Sequence, residues 1–193
     1  MSKGEATRQA VLDRAAATAS RIGLAGLTIG SLAADTGMSK SGLFAHFQSK
    51  ESLQTQVLAY ARELFSDQVV RPALAAPRGK ARVRALFEHW VATGKEGGAG
   101  CLFVSASAEY DDQPGPIRDQ LVRDHLDFAD SVAQMFRTGI SEGQFRPDAD
   151  PDQFAHDLHG VMLGFFHAHR LLAESVAEAR TRRAFENLLA AAK

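Results

Sequence analysis

Between Thr28 and Lys50 lies a run of hydroxyl residues, lysines and aromatics suited to gripping a polyanion rather than to breaking a bond. Its centre is Thr36-Gly37-Met38-Ser39. Glycine permits a sharp turn and serine caps the helix that follows, so two short helices cross steeply here, as in a helix-turn-helix. On the second helix Leu43 and Phe47 are four residues apart and face inward. Lys40, Ser41, Phe44 and His46 are then turned outward. Lysine reaches a phosphate or a guanine edge, small hydroxyl residues let the backbone approach a groove, and an aromatic ring packs on a thymine methyl. Thr28 and Lys50 each begin a helix, where backbone amides also favour a phosphate. Plainer readings stand beside this one. Ser39 and Ser49 can be caps and nothing more, Phe44 can be core, and turns of this spacing join helices in proteins of many kinds.

The other chemistry-bearing residues form weaker patterns. His156 and His159 are one turn apart and can share an ion, but His167 is three turns on, roughly 16 Å along a helix, and His169 extends the same segment. With a single cysteine, Cys101, no metal site is expected. No Ser-His-Asp order, phosphate-cradling loop or GxGxxG stands in a supporting context, so the chain is read as a non-enzyme without a cofactor. Glu109, Asp111 and Asp112 read as a solvated turn, and Cys101 as a small packed residue.

The elements that position these residues are all helical. A first helix from Glu5 to Ile22 puts Val11, Leu12, Ala15, Ala19 and Ile22 on one stripe, and Gly23 stops it. Thr28 caps a second helix with Ile29, Leu32 and Ala33 inward; Gly37 ends it, and Ser39 caps the third. Ser49 caps a fourth helix from Lys50 to about Val70, ahead of Pro72 and a loop to Lys80. A fifth, near Arg82–Thr93, turns Val83, Leu86, Phe87, Trp90 and Val91 to one face. Gly94, Gly97, Gly98 and Gly100 make a break. Helices near Leu102–Tyr110 and Ile117–Glu142 follow. Asp150-Pro151 starts another, running to about Leu172, with acidic groups at the positive dipole end. The last covers Ala177–Ala191. The fold class is therefore all-α: a three-helix head plus a helical bundle, about nine helices. Residues 1–50 form the head, 50–70 a linking helix, and 71–193 a C-terminal domain.

Charge is distributed to match. Residues 1–62 carry seven basic and four acidic groups, while the whole chain is at −1, so a mildly basic head sits on an acidic body. No run of eighteen apolar residues spans a membrane, the polar start lacks a secretory leader's apolar stretch, and the lone cysteine forms no internal disulfide. A cytoplasmic protein without membrane contact is expected.

The stretch from Leu27-Thr28-Ile29 through Gly37-Met38-Ser39-Lys40-Ser41-Gly42-Leu43-Phe44 to His46-Phe47-Gln48-Ser49-Lys50-Glu51 closely resembles the signature of the TetR family of transcriptional regulators. The resemblance covers about residues 5–60. It implies that Ser39, Lys40, Ser41 and Gly42 face bases or nearby phosphates, that Phe44 and His46 border the DNA backbone, and that Thr28 and Lys50 bind phosphate. One departure stands at the end of the first helix, where the family often has Leu-Phe and this chain has Thr18-Ala19. Ile22 and Phe47 are expected to fill that space. The stretch from Gly98 to Phe103 and on through Asp112 to Pro116 resembles one branch of TetR-like C-terminal domains.

By the same resemblance the last two helices form a homodimer surface. Phe154, Leu158, Val161, Phe165 and Leu172 lie on one stripe, and Phe185, Leu188 and Leu189 on another. Gly160, Gly164 and Ala168, four apart, leave a smooth strip. Mid-helix glycine costs about 1 kcal/mol against alanine, which asks for a compensating contact with a partner helix or a ligand; close packing within one subunit is the alternative. A pocket for a small apolar or aromatic effector is expected among Phe87, Trp90, Phe103, Phe128, Met135, Met162 and Phe166, where plain core is the competing reading. The implied function is a dimeric repressor on palindromic operator DNA. An effector would release it by changing the angle of the fourth helix, with coupling of about 1–3 kcal/mol. A ligand-free constitutive repressor, an activator, or an all-helical enzyme with a docking head are the rivals.

Overall fold

The computed structural model describes residues 3–95 and 101–193. Gly97, Gly98 and Gly100, expected in the break between helices, lie outside the described residues, as does the start of the Gly98–Pro116 stretch. Ten α-helical segments are present among the described residues: α1 Lys3–Ile22, α2 Ile29–Thr36, α3 Lys40–Phe47, α4 Lys50–Phe65, α5 Arg71–Ala75, α6 Lys80–Lys95, α7 Leu102–Tyr110, α8 Pro116–Ser141, α9 Pro151–Phe166 and α10 Ala177–Ala191. Two π-helical turns, Ser66–Val70 and His167–Leu171, follow α4 and α9. None of these helices is long and apolar enough to cross a membrane.

The chain divides into two compact units. One comprises the described residues within 1–64 and 99–123, the other those within 65–98 and 124–193. The head therefore shares its unit with α7 and the first turns of α8, which the sequence assigned to the C-terminal domain. Helical periodicity explains this core: Val11, Leu12, Ala15 and Ala19 of α1 meet Leu32 of α2, Leu43 and Phe47 of α3, and Leu53, Val57 and Leu58 of α4. Leu102, Ala106 and Tyr110 of α7 join the same cluster. Fully burying one such side chain stabilises by roughly 1.5–3 kcal/mol.

Two expectations are corrected. Ile22 does not fill the head; it is 48% exposed, and Leu24 and Leu27 are wholly buried in its place. Gly23, at φ 87°, ends α1 and turns the chain so that these two leucines point inward. Thr18 is buried too, its hydroxyl donating to Asp35 Oδ2 at 2.9 Å. A polar contact between α1 and α2 thus occupies this buried position. Pro72, finally, does not end the helical run. In the preceding π turn Arg71 N–H bonds back to the Ser66 carbonyl, and Pro72 falls in the first turn of α5, where its missing N–H is not needed.

The second unit packs α6, α8, α9 and α10 around aromatic stacks. Phe87 lies face to face on Phe185 at 3.9 Å, and Phe136 on Phe145 at 4.2 Å. Asp150 caps α9 as expected, accepting the Asp152 N–H at 2.9 Å and the Gln153 N–H at 3.1 Å, with Pro151 behind it.

Candidate functional site

The turn between α2 and α3 is built from local hydrogen bonds. Thr28 Oγ1 accepts the Ser31 N–H at 2.9 Å while Ser31 Oγ accepts the Thr28 N–H at 2.9 Å, a reciprocal capping box that fixes the start of α2. Gly37, at φ 69°, closes α2 by donating its N–H to the Ala33 carbonyl at 3.0 Å. A side chain would be strained in that left-handed conformation. Ser39 Oγ then accepts the Gly42 N–H at 3.1 Å and lies 3.2 Å from Ser41 Oγ. Ser49 caps α4 in the same way, taking the Ser52 N–H at 3.0 Å.

Helix α3 has two unlike faces. Leu43 and Phe47 are wholly buried. Lys40, Ser41, Phe44 and Ala45 are exposed, with Gly42 and His46 half-buried. Phe44 is 58% exposed, so the core reading of this ring fails. Nothing in the packing of the head requires an aromatic there. Lys50 is exposed at the first position of α4, close in sequence to this face.

Not all of the head's basic groups are at liberty. Arg14 makes a two-pronged contact with Asp35, at 2.6 and 3.0 Å, tying α1 to α2. This guanidinium first, and then the Thr18 hydroxyl, holds the Asp35 carboxyl below its ordinary value. Arg8 donates to the Gln56 amide oxygen.

Residues that sequence reasoning missed secure the head. Gln54 is 3% exposed and donates to the Leu24 carbonyl at 2.7 Å and the Leu27 carbonyl at 3.3 Å. Glu109 is no solvated turn residue: it accepts the Ala25 N–H at 2.6 Å, so α7 holds the loop between α1 and α2. Gln48 links α3 to α4 at φ 64°, ψ −40°, with Ser49 N–H bonded to the Phe47 carbonyl at 2.7 Å. That is a strained three-residue turn on a residue that is not glycine. No local signal marks Gln48, whereas an isolated glutamine on an apolar stripe, as at Gln54, is a signal of a buried polar anchor.

The second unit holds a cavity of about 250 Å³ lined by Trp90, His125, Phe128, Val132, His156 and His159, among others. Trp90 and Phe128 meet edge to face at 4.9 Å, and His159 lies 5.5 Å from His125 and 6.0 Å from Trp90 between ring centres. Burial, then the neighbouring His125 and His156, holds His159 below the ordinary histidine value. Only Trp90 and Phe128 of the expected pocket residues line this cavity. Phe87 is stacked on Phe185, and Met135, Met162 and Phe166 are core. Phe103 packs in the other unit, against the head core. Aromatics at helical spacing mark a buried face, but not which neighbour covers it. Of the remaining histidines, His167 is exposed and His169 stacks on Phe165 at 5.3 Å. Cys101 is half-buried, and burial pushes its thiol up.

The expected dimer residues also divide. Phe154, Leu158, Phe165, Phe185 and Leu189 are buried in the chain's own core and have no surface to offer. Val161, Ala168 and Leu188 are half-buried, while Gly164 and Leu172 are exposed. Leu163 and Leu171, which the sequence reading missed, are exposed as well, at 43% and 71%. A Cβ at Gly160 or Gly164 would meet nothing within 4 Å, so packing within one subunit does not explain these glycines.

Comparison with known proteins places both units. A family model described as bacterial regulatory proteins, tetR family, matches residues 11–57, and one described as tetracyclin repressor-like, C-terminal domain, matches residues 79–185. No curated protein matches the sequence. Among solved structures, a TetR transcriptional regulator from Chloroflexus aurantiacus is 26% identical with a TM-score of 0.87, over 98% of this chain and 96% of that one. A TetR-family regulator from Cytophaga hutchinsonii is 20% identical with a TM-score of 0.85, over 100% and 98%. AibR, in complex with isovaleryl coenzyme A and operator DNA, is 25% identical with a TM-score of 0.71, over 92% and 97%.

Proposed function

The chain belongs to the TetR family of DNA-binding transcription regulators, and from that premise we propose that it acts as a homodimeric repressor released from a palindromic operator by a small effector. The observation that carries the DNA reading is the outer face of α3. An exposed phenylalanine stands there beside Lys40 and Ser41, while the opposite face is locked into the core by Leu43 and Phe47. In this reading α3 enters the major groove. Ser39, Lys40, Ser41 and Gly42 meet bases or nearby phosphates, Phe44 and His46 border the sugar-phosphate backbone, and Thr28 and Lys50 meet phosphates. Two heads then read half-sites about 34–36 Å apart.

The dimer reading is supported by the open glycine strip of α9 with exposed Leu163, and by exposed Leu171 in the π turn that follows. Apolar surface on one helix face, with no side chain at Gly160 and Gly164, suits close approach of a second copy. The effector reading is supported by the histidine-lined cavity, which has room for a small molecule, and by AibR, whose structure holds both isovaleryl coenzyme A and operator DNA. The same cavity weighs against a ligand-free constitutive repressor. Sedimentation of the chain at micromolar concentration, alone and with duplex DNA, tests the assembly. A dimer that binds DNA intact is expected, and a monomer would overturn the two-headed mechanism.

A further inference from the structure

Lys50 shares a cleft with a cation that lies outside the helix-turn-helix. Lys50, Glu51 and Gln54 of α4 line a cavity of about 340 Å³ together with Gln113 and Gly115 of the turn before α8 and Arg118 of its first turn. All of these residues belong to the unit that contains the head, so both sides of the cleft travel with it. The buried polar groups of the cleft are satisfied within the chain. Gln54 donates to the Leu24 and Leu27 carbonyls at 2.7 and 3.3 Å and bonds to the Tyr110 side chain. What the cleft presents outward is charge. Lys50 and Arg118 are both exposed, and among the described residues neither is held in an ion pair, whereas Arg14 is held by Asp35. Arg118 donates through Nε to the Asp111 carbonyl at 2.9 Å. That neutral acceptor uses one of the five guanidinium N–H groups and steadies the side chain while leaving its charge unmatched. The lining sets these two cations against one carboxylate, Glu51; Asp111 and Asp112 stand outside it.

Charges on one DNA strand recur about every 3.4 Å of axis, and a compact cleft of this volume is about 9 Å across, so it spans only a few successive phosphates. On the reading that Lys50 meets a phosphate, we propose that Arg118 binds a further backbone phosphate of the same half-site, carrying the DNA contact past the helix-turn-helix to the start of α8. A guanidinium suits this place, because its planar fork takes two phosphate oxygens at once. The contact is blind to sequence: it adds affinity and fixes the orientation of the head, and it reads no base.

Fluorescence anisotropy between 50 and 200 mM salt, with an operator and a scrambled duplex, tests this. Arg118→Gln keeps a donor for the Asp111 carbonyl and removes the charge. Losing one phosphate contact in each of two heads should lower the slope of log K against log salt by about 1.8, so that the affinity loss over this range shrinks about twelvefold, equally on both duplexes. Arg118→Lys should keep the wild-type slope. With Lys50→Ala added to Arg118→Gln, the reductions should sum to about 3.6, because two separate phosphates are lost from each head. Arg123→Gln is the control, since Arg123 is exposed on α8 but outside the cleft, and it should leave the slope unchanged. The proposal is overturned by an unchanged slope in Arg118→Gln, by an equal reduction in Arg123→Gln, or by a double variant no lower than Lys50→Ala alone. Should Arg118→Gln fail to fold, Gln113→Lys on the same lining decides: an added cation should steepen the slope, and an unchanged slope would overturn the proposal. A reduction in Arg118→Gln with none in Lys50→Ala would remove Lys50 from the phosphate contacts and leave Arg118 standing; the converse would remove Arg118 alone.

Discussion

Replacing Lys50 by alanine should change how this protein's DNA affinity responds to salt, and by an amount that can be stated beforehand. Lys50 is exposed at the first position of α4, behind the Ser49 cap. Alanine keeps both the cap and the helical propensity, so the substitution removes a charge and little else. Each phosphate neutralised on duplex DNA contributes about 0.9 to the slope of log K against log salt, so losing one contact in each of two heads should lower the slope by about 1.8. Between 50 and 200 mM salt the affinity loss would then shrink by about twelvefold relative to wild type. Fluorescence anisotropy with an operator duplex and with a scrambled duplex measures this directly. The change should be the same on both, because phosphates carry no sequence information, and Lys50→Arg should retain the wild-type slope. An unchanged slope would remove Lys50 from the phosphate contacts, and a loss confined to the operator would make it a base reader.

Three further outcomes follow from particular contacts. Substitutions at Ser41 should alter which sequences are preferred rather than weaken binding uniformly; a uniform loss in a binding-site library would argue against base reading by α3. Gly94→Ala would put a Cβ 2.7 Å from Phe165 Cε1 and 2.9 Å from Phe166 Cε1, both in buried rings. Overpacking of that type costs about 1–3 kcal/mol, so the denaturation midpoint should fall, and an unchanged midpoint would mean that the rings move aside freely. His159 is held below the ordinary histidine value, so the unfolded chain takes up its proton first. Its contribution to stability is then complete above about pH 6.5 and is lost as pH falls toward its native value. Thermal melts at pH 7.5 and 5.5 should show a loss that His159→Gln reduces, and an equal loss in the variant would assign it to other groups.

The head was legible because its determinants are local. Thr28, Gly37, Ser39 and Ser49 act within four residues of themselves, and Leu43 with Phe47 follow one helical period. Contacts between distant segments were not legible. Nothing near Glu109 announces that it will accept the Ala25 N–H, and Ile22 completes the α1 stripe on paper while Leu24 and Leu27 take its place in the core. The same limit governs the second unit. Periodicity marks Phe154, Leu158 and Phe165 as one apolar stripe but is silent on whether the chain itself or a second copy covers it, and here the chain covers it. Trp90 and Phe128 were found in the cavity, but His125 was passed over because its neighbours there come from other helices. The π turn before Pro72 also escaped, since an α-helical period does not foresee a bond from Arg71 back to Ser66.

The most direct test of the central claim is selection of bound duplexes from a random DNA pool by this 193-residue chain. The account predicts one enriched motif, an inverted repeat whose half-sites are centred about 10–10.5 base pairs apart or a multiple of that spacing. Recovery of unenriched DNA, or of a single half-site with no symmetric mate, would contradict it.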